Sequence, residues 1–239
     1  VLHAGKNLRI VVRAGAGYDN VDLAAATEKG VVVMNTPGQN SNAVAELALG
    51  LMVYGARGFF SGKSGTELKG KKMGIHAFGN VGKQVAVIAK GFGMDVYAFD
   101  PFISNSDIEA CGVKPVENAE DLYKTCQYVS LHIPANDKTK KSIGSALLSL
   151  MPGDGVLINT ARKEVIDEEG LMKVMEQKLK FQYLSDVAPD TAEVFQAKFP
   201  DRYYSTPKKM GAQTEEANTN AGIAAAEQIR DFFEKGEKR

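Results

Sequence analysis

Residues 73–82 read Met-Gly-Ile-His-Ala-Phe-Gly-Asn-Val-Gly, a short apolar run entering a turn with glycines at 79 and 82. Between a strand and a helix, Gly79 would let the backbone approach a pyrophosphate, and Gly82 would let the helix pack closely on the strand. The unpaired N–H groups at the helix start, from Asn80 and Val81, would meet the phosphates with the positive end of the helix dipole behind them. Ala77 stands where this dinucleotide fingerprint carries its first glycine, a departure at the tightest point of the turn. Asp100 ends the next β-rich run, 18 residues after Gly82. A carboxylate there would accept hydrogen bonds from an adenosine ribose and repel a 2′-phosphate, which points to NAD as cofactor. An ordinary strand-to-helix turn, followed by an Asp that opens a loop, is the competing reading.

Two arginines stand where an anion could be held. Arg162 follows the apolar run Val156 to Ile158, at the carboxyl end where parallel sheets place ligands. Its guanidinium suits a carboxylate in a bidentate grip, and a solvated loop Arg is the alternative. Arg13 precedes Ala14-Gly15-Ala16-Gly17, whose small residues could turn backbone N–H groups toward a carboxylate or phosphate. A structural Arg ending a strand is equally open. Of the three histidines, His3 lies at the start of the chain, His76 sits inside the strand before the glycine turn, and His132 ends the run Tyr128 to Ile133. His132 is a second-choice acid or base. No group of His, Cys or carboxylates has metal-ligand spacing, and no Ser sits in a nucleophile elbow.

These side chains need a scaffold, and the apolar pattern describes one. Short runs rich in β-branched residues recur at Ile10–Val12, Val31–Val33, Met73–Ala77, Val96–Phe99, Tyr128–His132, Val156–Ile158 and Tyr183–Leu184. Most are apolar on both faces, as in buried parallel strands. Helix-length stretches separate them, with apolar faces at Val81, Val85, Ile88 and Phe92, and at Leu171, Val174 and Met175. The alternation predicts an α/β fold, a parallel sheet covered by helices on both faces. Ala43 to Ala56 reads as a long apolar helix interrupted by Glu46, followed by a hinge-like stretch with Gly58, Gly62, Gly65 and Gly70. Glu215 to Phe233 reads as a final helix with Ile223, Ala226, Ile229 and Phe233 on one face.

The 239 residues balance 29 Lys+Arg against 29 Asp+Glu. That argues against a nucleic-acid binder or membrane adhesin acting through bulk positive charge, and no apolar run approaches a membrane span. Cys111 and Cys126 cannot make a disulfide framework, so a reduced, cytoplasmic protein is expected.

The chain resembles the D-isomer-specific 2-hydroxyacid dehydrogenases. Four stretches carry the resemblance: Arg13-Ala14-Gly15-Ala16-Gly17-Tyr18-Asp19-Asn20-Val21-Asp22, the glycine turn, Asn159-Thr160-Ala161-Arg162 and Gly211-Ala212-Gln213-Thr214. The first points to the branch that oxidises 3-phosphoglycerate. The resemblance implies a Rossmann-type nucleotide-binding domain over 63–212 and a smaller flavodoxin-like α/β substrate domain. The latter comprises 1–62 and the last helix, 213–239, with counterparts of its first βα units missing. It also implies an active site between the domains, the short form without a serine-binding regulatory domain, and a homodimer. The dimer would form through the long helix and the substrate-distal face of the nucleotide domain.

On the same resemblance Arg162 is the substrate-binding Arg, and Thr160, Ala161 and Asp186 join Ala77, Gly79, Asn80, Val81, Gly82 and Asp100 around NAD. Arg13, Ala14 and Gly15 bind substrate, Arg13 at its phosphate. Members usually carry a His acid/base backed by a Glu. Lys209 occupies the His position, with Lys208 as fallback, and Thr191 the Glu position, flanked by Asp190. A Lys amine performs the same proton transfer if its pKa falls from ~10.4 toward ~8, which Arg162, the nicotinamide cation and burial would favour. Asp190 could orient it. The implied activity is NAD-dependent oxidation of 3-phosphoglycerate. A glyoxylate or hydroxypyruvate reductase and an NADH-binding corepressor are the alternatives.

Overall fold

The structure is a computed structural model that describes residues 2–18 and 20–238. Val1, Asp19 and Arg239 lie outside it, so Asp19 of the first motif is not placed. In chain order the elements are β1 (Ile10–Arg13), α1 (Leu23–Glu28), β2 (Val32–Asn35), α2 (Ser41–Ala56), β3 (Lys72–His76), α3 (Asn80–Gly91), β4 (Asp95–Phe99), α4 (Asn105–Ala110), β5 (Lys114–Pro115), α5 (Ala119–Thr125), β6 (Tyr128–Leu131), α6 (Ser145–Leu148), β7 (Val156–Asn159), α7 (Glu168–Gln177), β8 (Gln182–Ser185), α8 (Ala192–Lys198), β9 (Tyr203–Ser205) and α9 (Glu215–Lys235). They form two units, 44–211 and 1–43 with 212–239.

The larger unit is built on one parallel sheet of seven strands in the order β5-β4-β3-β6-β7-β8-β9. Its strands are short and apolar on both faces because both faces are covered. Side-chain alternation sends Tyr128, Val156, Ile158 and Leu184 to one core with Met73 and Ile75, and Val129, Leu131, Leu157 and Tyr183 to the other. Strand order reverses between β3 and β6. That is the switch point at which open α/β sheets of Rossmann type bind their ligands, beyond the carboxyl ends of the strands.

Helix α2 belongs to this unit. Ala45, Ala48, Leu49 and Met52 are buried in the same core as Met73 and Ile75, and a Cβ on Gly55 would lie 2.7 Å from Leu184 Cδ1 on β8. The division therefore falls at 43/44 rather than at the expected 62/63, because the apolar face of α2 is covered by the sheet. The expected hinge is also anchored. Thr66 N–H donates to the Ala56 carbonyl (2.7 Å), and a Cβ on Gly65 would meet that same oxygen at 2.4 Å.

In the smaller unit, β1 and β2 pair in parallel from Ile10 opposite Val32 to Arg13 opposite Asn35, with α1 as their crossover. Helix α9 buries Ala217, Ala221, Ala225 and Phe232, and Gln228 Nε2 donates to the Asn35 carbonyl (3.0 Å). The face that carries Ile223, Ala226, Ile229 and Phe233 is not the buried one. Ile223, Ile229 and Phe233 are exposed, since close approach favours the alanine stripe at four-residue spacing. Helix α3 shows a smaller rotation of the same kind: Gly82, Val85, Ala86 and Ala89 are buried and Phe92 is exposed.

Candidate active site

The residues singled out in 77–211 gather at the carboxyl ends of the large sheet. The turn after β3 takes its shape at Ala77, whose φ of 76° lies in the left-handed region where glycine is the usual occupant. Ala77 N–H donates to the Phe99 carbonyl (2.8 Å). Phe78 is fully buried beneath the turn. Gly79 caps α3, and nothing lies within 4 Å of where its Cβ would stand, so the backbone there is open to approach. A Cβ on Gly82 would lie 2.5 Å from the Ala77 carbonyl oxygen and 3.1 Å from Ile75 Cγ2, which is why the helix can sit so close to the strand. Asn80 is exposed and Val81 half-buried at the helix start.

Asp100, at the end of β4, binds the turn itself: Oδ2 accepts Phe78 N–H and Oδ1 accepts Phe102 N–H, both at 2.8 Å. Each oxygen keeps a lone pair for a ribose hydroxyl. His76 beneath the turn contacts Tyr123 Oη through Nδ1 (3.2 Å). Burial lowers its pKa to about 4 against the opposing pull of Asp100. His132 lies 3.0 Å from Ser130 Oγ through Nε2, and burial, with His76 nearby, lowers it to about 3. A ring lowered in this way is a weaker proton acceptor at neutral pH than an ordinary imidazole.

After β7, the fully buried Asn159 shapes the next loop. Its Oδ1 accepts Ala161 N–H (3.0 Å) and its Nδ2 donates to the Arg162 carbonyl (2.9 Å). Arg162 is half-buried, with Nη1 donating to the Ala161 carbonyl (3.0 Å). Thr160 is 5% exposed, yet its Oγ1 has no hydrogen-bond partner among the described residues. A buried hydroxyl left unsatisfied costs stability unless a ligand completes it.

In the loops after β8 and β9, Asp186, expected at the cofactor, is 1% exposed, and its carboxylate holds the chain around it. Oδ1 accepts Met210 N–H (2.9 Å) and lies 2.9 Å from Thr206 Oγ1, and Oδ2 accepts Gly211 N–H (2.8 Å). Asp190 was expected to orient Lys209. Its carboxylate pairs with Lys163 Nζ, and its N–H donates to Glu168 Oε1 (2.7 Å). Glu168 also accepts the Thr191 N–H (2.9 Å) and hydroxyl (2.5 Å), so a carboxylate from α7 reaches position 191. Lys208 and Lys209 are exposed.

In the smaller unit, Arg13 ends β1 and folds back, Nη1 donating to the Ala14 carbonyl (3.1 Å). Gly15 is buried with φ 139°, and a Cβ there would overlap the Arg13 guanidinium. Its N–H donates to Thr36 Oγ1 (2.6 Å), so it is not presented to an anion as expected. Sequence reasoning missed Asn159, Glu168 and Thr206 as organisers. Asn159 closes β7 and Thr206 follows β9, each just before a loop.

The sheet edge suits a dinucleotide. The left-handed turn at 77, the open backbone at Gly79, the N-terminus of α3, the Asp100 carboxylate and the unsatisfied Thr160 hydroxyl all fit one. Among the described residues no group of His, Cys, Asp and Glu could hold a metal ion, and no helix is long and apolar enough to cross a membrane. Residues 54–206 match the NAD binding domain of the D-isomer specific 2-hydroxyacid dehydrogenases.

The chain belongs to that family.

A hydroxypyruvate reductase of Thermotoga maritima is 38% identical, over 96% of this chain and 79% of that protein. A D-3-phosphoglycerate dehydrogenase of Methanocaldococcus jannaschii is 34% identical over 96% of this chain and 46% of that protein. The chain thus spans about half the length of the curated phosphoglycerate dehydrogenases it matches. Among solved structures, the NAD+-bound 3-phosphoglycerate dehydrogenase of Entamoeba histolytica aligns with a TM-score of 0.91 at 48% identity, covering 100% of this chain and 76% of that one. The match to the family's NAD binding domain, residues 54–206, falls within the larger unit.

Proposed function

We propose that the protein oxidises 3-phosphoglycerate to 3-phosphohydroxypyruvate with NAD. The observation that carries the reading is that the glycine turn, Arg162 and the Lys209 segment follow β3, β7 and β9 at the carboxyl ends of one parallel sheet. The 48% identity to the Entamoeba histolytica enzyme over the whole chain supports the choice of substrate. Arg162 holds the substrate carboxylate and sets the carbon bearing the hydroxyl. Lys209, as the neutral amine, takes the hydroxyl proton and becomes the ammonium. NAD, when bound, accepts the hydride from that carbon. Thr160, Ala161, Gly79, Asn80 and Val81 bind and orient the cofactor, and Asp100 receives its ribose. Within the smaller unit Arg13 and Ala14 are the groups for an anionic part of the substrate.

The 38% identity to the Thermotoga maritima enzyme favours a second reading, reduction of hydroxypyruvate. Both are decided by following NADH absorbance with 3-phosphoglycerate, D-glycerate and D-lactate, and in reverse with hydroxypyruvate and glyoxylate. The largest kcat/KM is expected for 3-phosphoglycerate. A larger value for hydroxypyruvate would install the second reading, and no turnover with any would leave an NADH-binding regulatory protein. The protein works in the cytoplasm as a homodimer, which sedimentation equilibrium at micromolar concentration tests for the oligomer.

A further inference from the structure

The loop that carries Arg13 is held from beneath by the end of β2, peptide by peptide. Thr36 is buried, and its Oγ1 accepts the Gly15 N–H (2.6 Å). Its own N–H donates to the Gly15 carbonyl (3.0 Å). Asn35, in register with Arg13, donates from Nδ2 to the Ala16 carbonyl (2.7 Å), and its carbonyl accepts Gln228 Nε2 of α9 (3.0 Å). In a planar trans peptide the N–H and the C=O point in opposite directions. Turning the Gly15 N–H in to Thr36 therefore turns the Ala14 carbonyl out, and that carbonyl is the one that accepts Arg13 Nη1 (3.1 Å). Gly15 completes the seat. Its φ of 139° disfavours a side chain, and a Cβ there would lie 1.3 Å from Arg13 Nη1. The guanidinium thus rests on a glycine and on a carbonyl whose direction one buried hydroxyl fixes. It pairs with no carboxylate among the described residues.

We infer that Thr36 is a positioning residue for substrate choice: through the peptide 14–15 it sets Arg13 to receive the phosphate of a phosphorylated 2-hydroxy acid, with Asn35 holding the same loop at Ala16. The inference rests on the reading of Arg13 as the anchor for that anionic group. A 2-hydroxy acid without a phosphate gives Arg13 nothing to grip, so the Thr36 hydroxyl matters to one substrate and not to the other. In Thr36→Val the branched shape is kept, but the buried Gly15 N–H loses its acceptor and the peptide 14–15 is free to turn.

The test compares 3-phosphoglycerate with D-glycerate on the full chain at saturating NAD, with NAD affinity measured by calorimetry. Thr36→Val is expected to lower kcat/KM for 3-phosphoglycerate at least ~10-fold, mostly through KM, while kcat/KM for D-glycerate and Kd for NAD stay within about threefold. Thr36→Ser, which restores the acceptor, should bring the preference back. Adding Thr36→Val to Arg13→Ala should cost no further preference, because the seat has nothing left to hold. Equal losses on the two substrates, a Ser variant no better than Val, or multiplicative losses in the double variant would make Thr36 an ordinary structural tie and overturn the inference. A parent enzyme with no preference for 3-phosphoglycerate, or an Arg13→Ala variant that keeps it, would instead remove the reading of Arg13 and, with it, the inference. That pattern is distinct because it shows before position 36 is touched. Where D-glycerate is not turned over, its inhibition constant against 3-phosphoglycerate replaces its kcat/KM. If Thr36→Val does not fold, Asn35→Ala, which releases the Ala16 carbonyl, takes its place: the same selective loss is expected, and an unchanged preference would overturn the inference.

Discussion

The carbonyl oxygen of Ala77 lies 2.5 Å from the point where a Cβ on Gly82 would stand. Helix α3 is seated that closely on β3, and the seat aims its N-terminus past Gly79. Gly82→Ala is expected to force the helix outward and cost ~1–3 kcal/mol of stability, as overpacking does. Urea unfolding of the two proteins measures it; an unchanged midpoint would mean the turn yields freely.

Ala77→Gly should act in the opposite direction. An alanine at φ 76° carries ~1–2 kcal/mol of strain, partly offset by the greater chain entropy a glycine loses on folding, ~0.5–1 kcal/mol. The variant should match the parent or gain up to ~1 kcal/mol, with NAD affinity equal or tighter. A loss of stability beyond ~1 kcal/mol in the same urea experiment would contradict this.

The proposed reading assigns cofactor choice to Asp100. Titration calorimetry should show NAD bound at least ~10-fold tighter than NADP, since a 2′-phosphate would bring like charge to the carboxylate. Asp100→Ala should narrow that gap and loosen the turn, because the Phe78 and Phe102 N–H groups lose their acceptor. Equal Kd values in the parent would defeat the assignment.

Only the neutral amine of Lys209 can take a proton, so kcat/KM should rise with pH along an alkaline limb. Lys209→His should retain partial activity and move that limb toward ~6.5, where imidazole titrates. Lys209→Ala should lower kcat ~10²–10⁴-fold. Superimposable profiles for the parent and the His variant would transfer the role to Lys208.

His76 and His132 make folding sensitive to acid. Both titrate well below the ordinary 6.5 in the folded chain, at about 4 and about 3, because burial disfavours the charged ring. The unfolded chain therefore binds protons first as pH falls. The contribution of these two rings is full above pH ~6.5 and is lost progressively toward pH ~4, on the order of a few kcal/mol. Unfolding free energies at about pH 7 and about pH 4.5 should show the decline. His76→Gln, which keeps a partner for Tyr123 and cannot charge, should lessen it; an identical slope would place the effect in other groups.

Much of this was legible in the residues, and the limits have physical causes. Runs such as Tyr128–Leu131 and Val156–Asn159 are buried on both sides and so announce themselves as parallel strands. β5 and β9 escaped notice because two or three residues at a sheet edge carry too little pattern. The large apolar residues of α9 do not mark its buried face, since closeness of packing selects alanines. The glycine turn follows β3 and Arg162 follows β7, both at carboxyl ends of strands. Nothing in the local sequence reveals that residues 206–211 return to cover Asp186.

That return has a consequence for how such a site can change. The three bonds that grip the loop run to the amide groups at 210 and 211 and to the hydroxyl at 206. None of these three is made by the side chain at position 209. A change of side chain there would leave this part of the architecture in place.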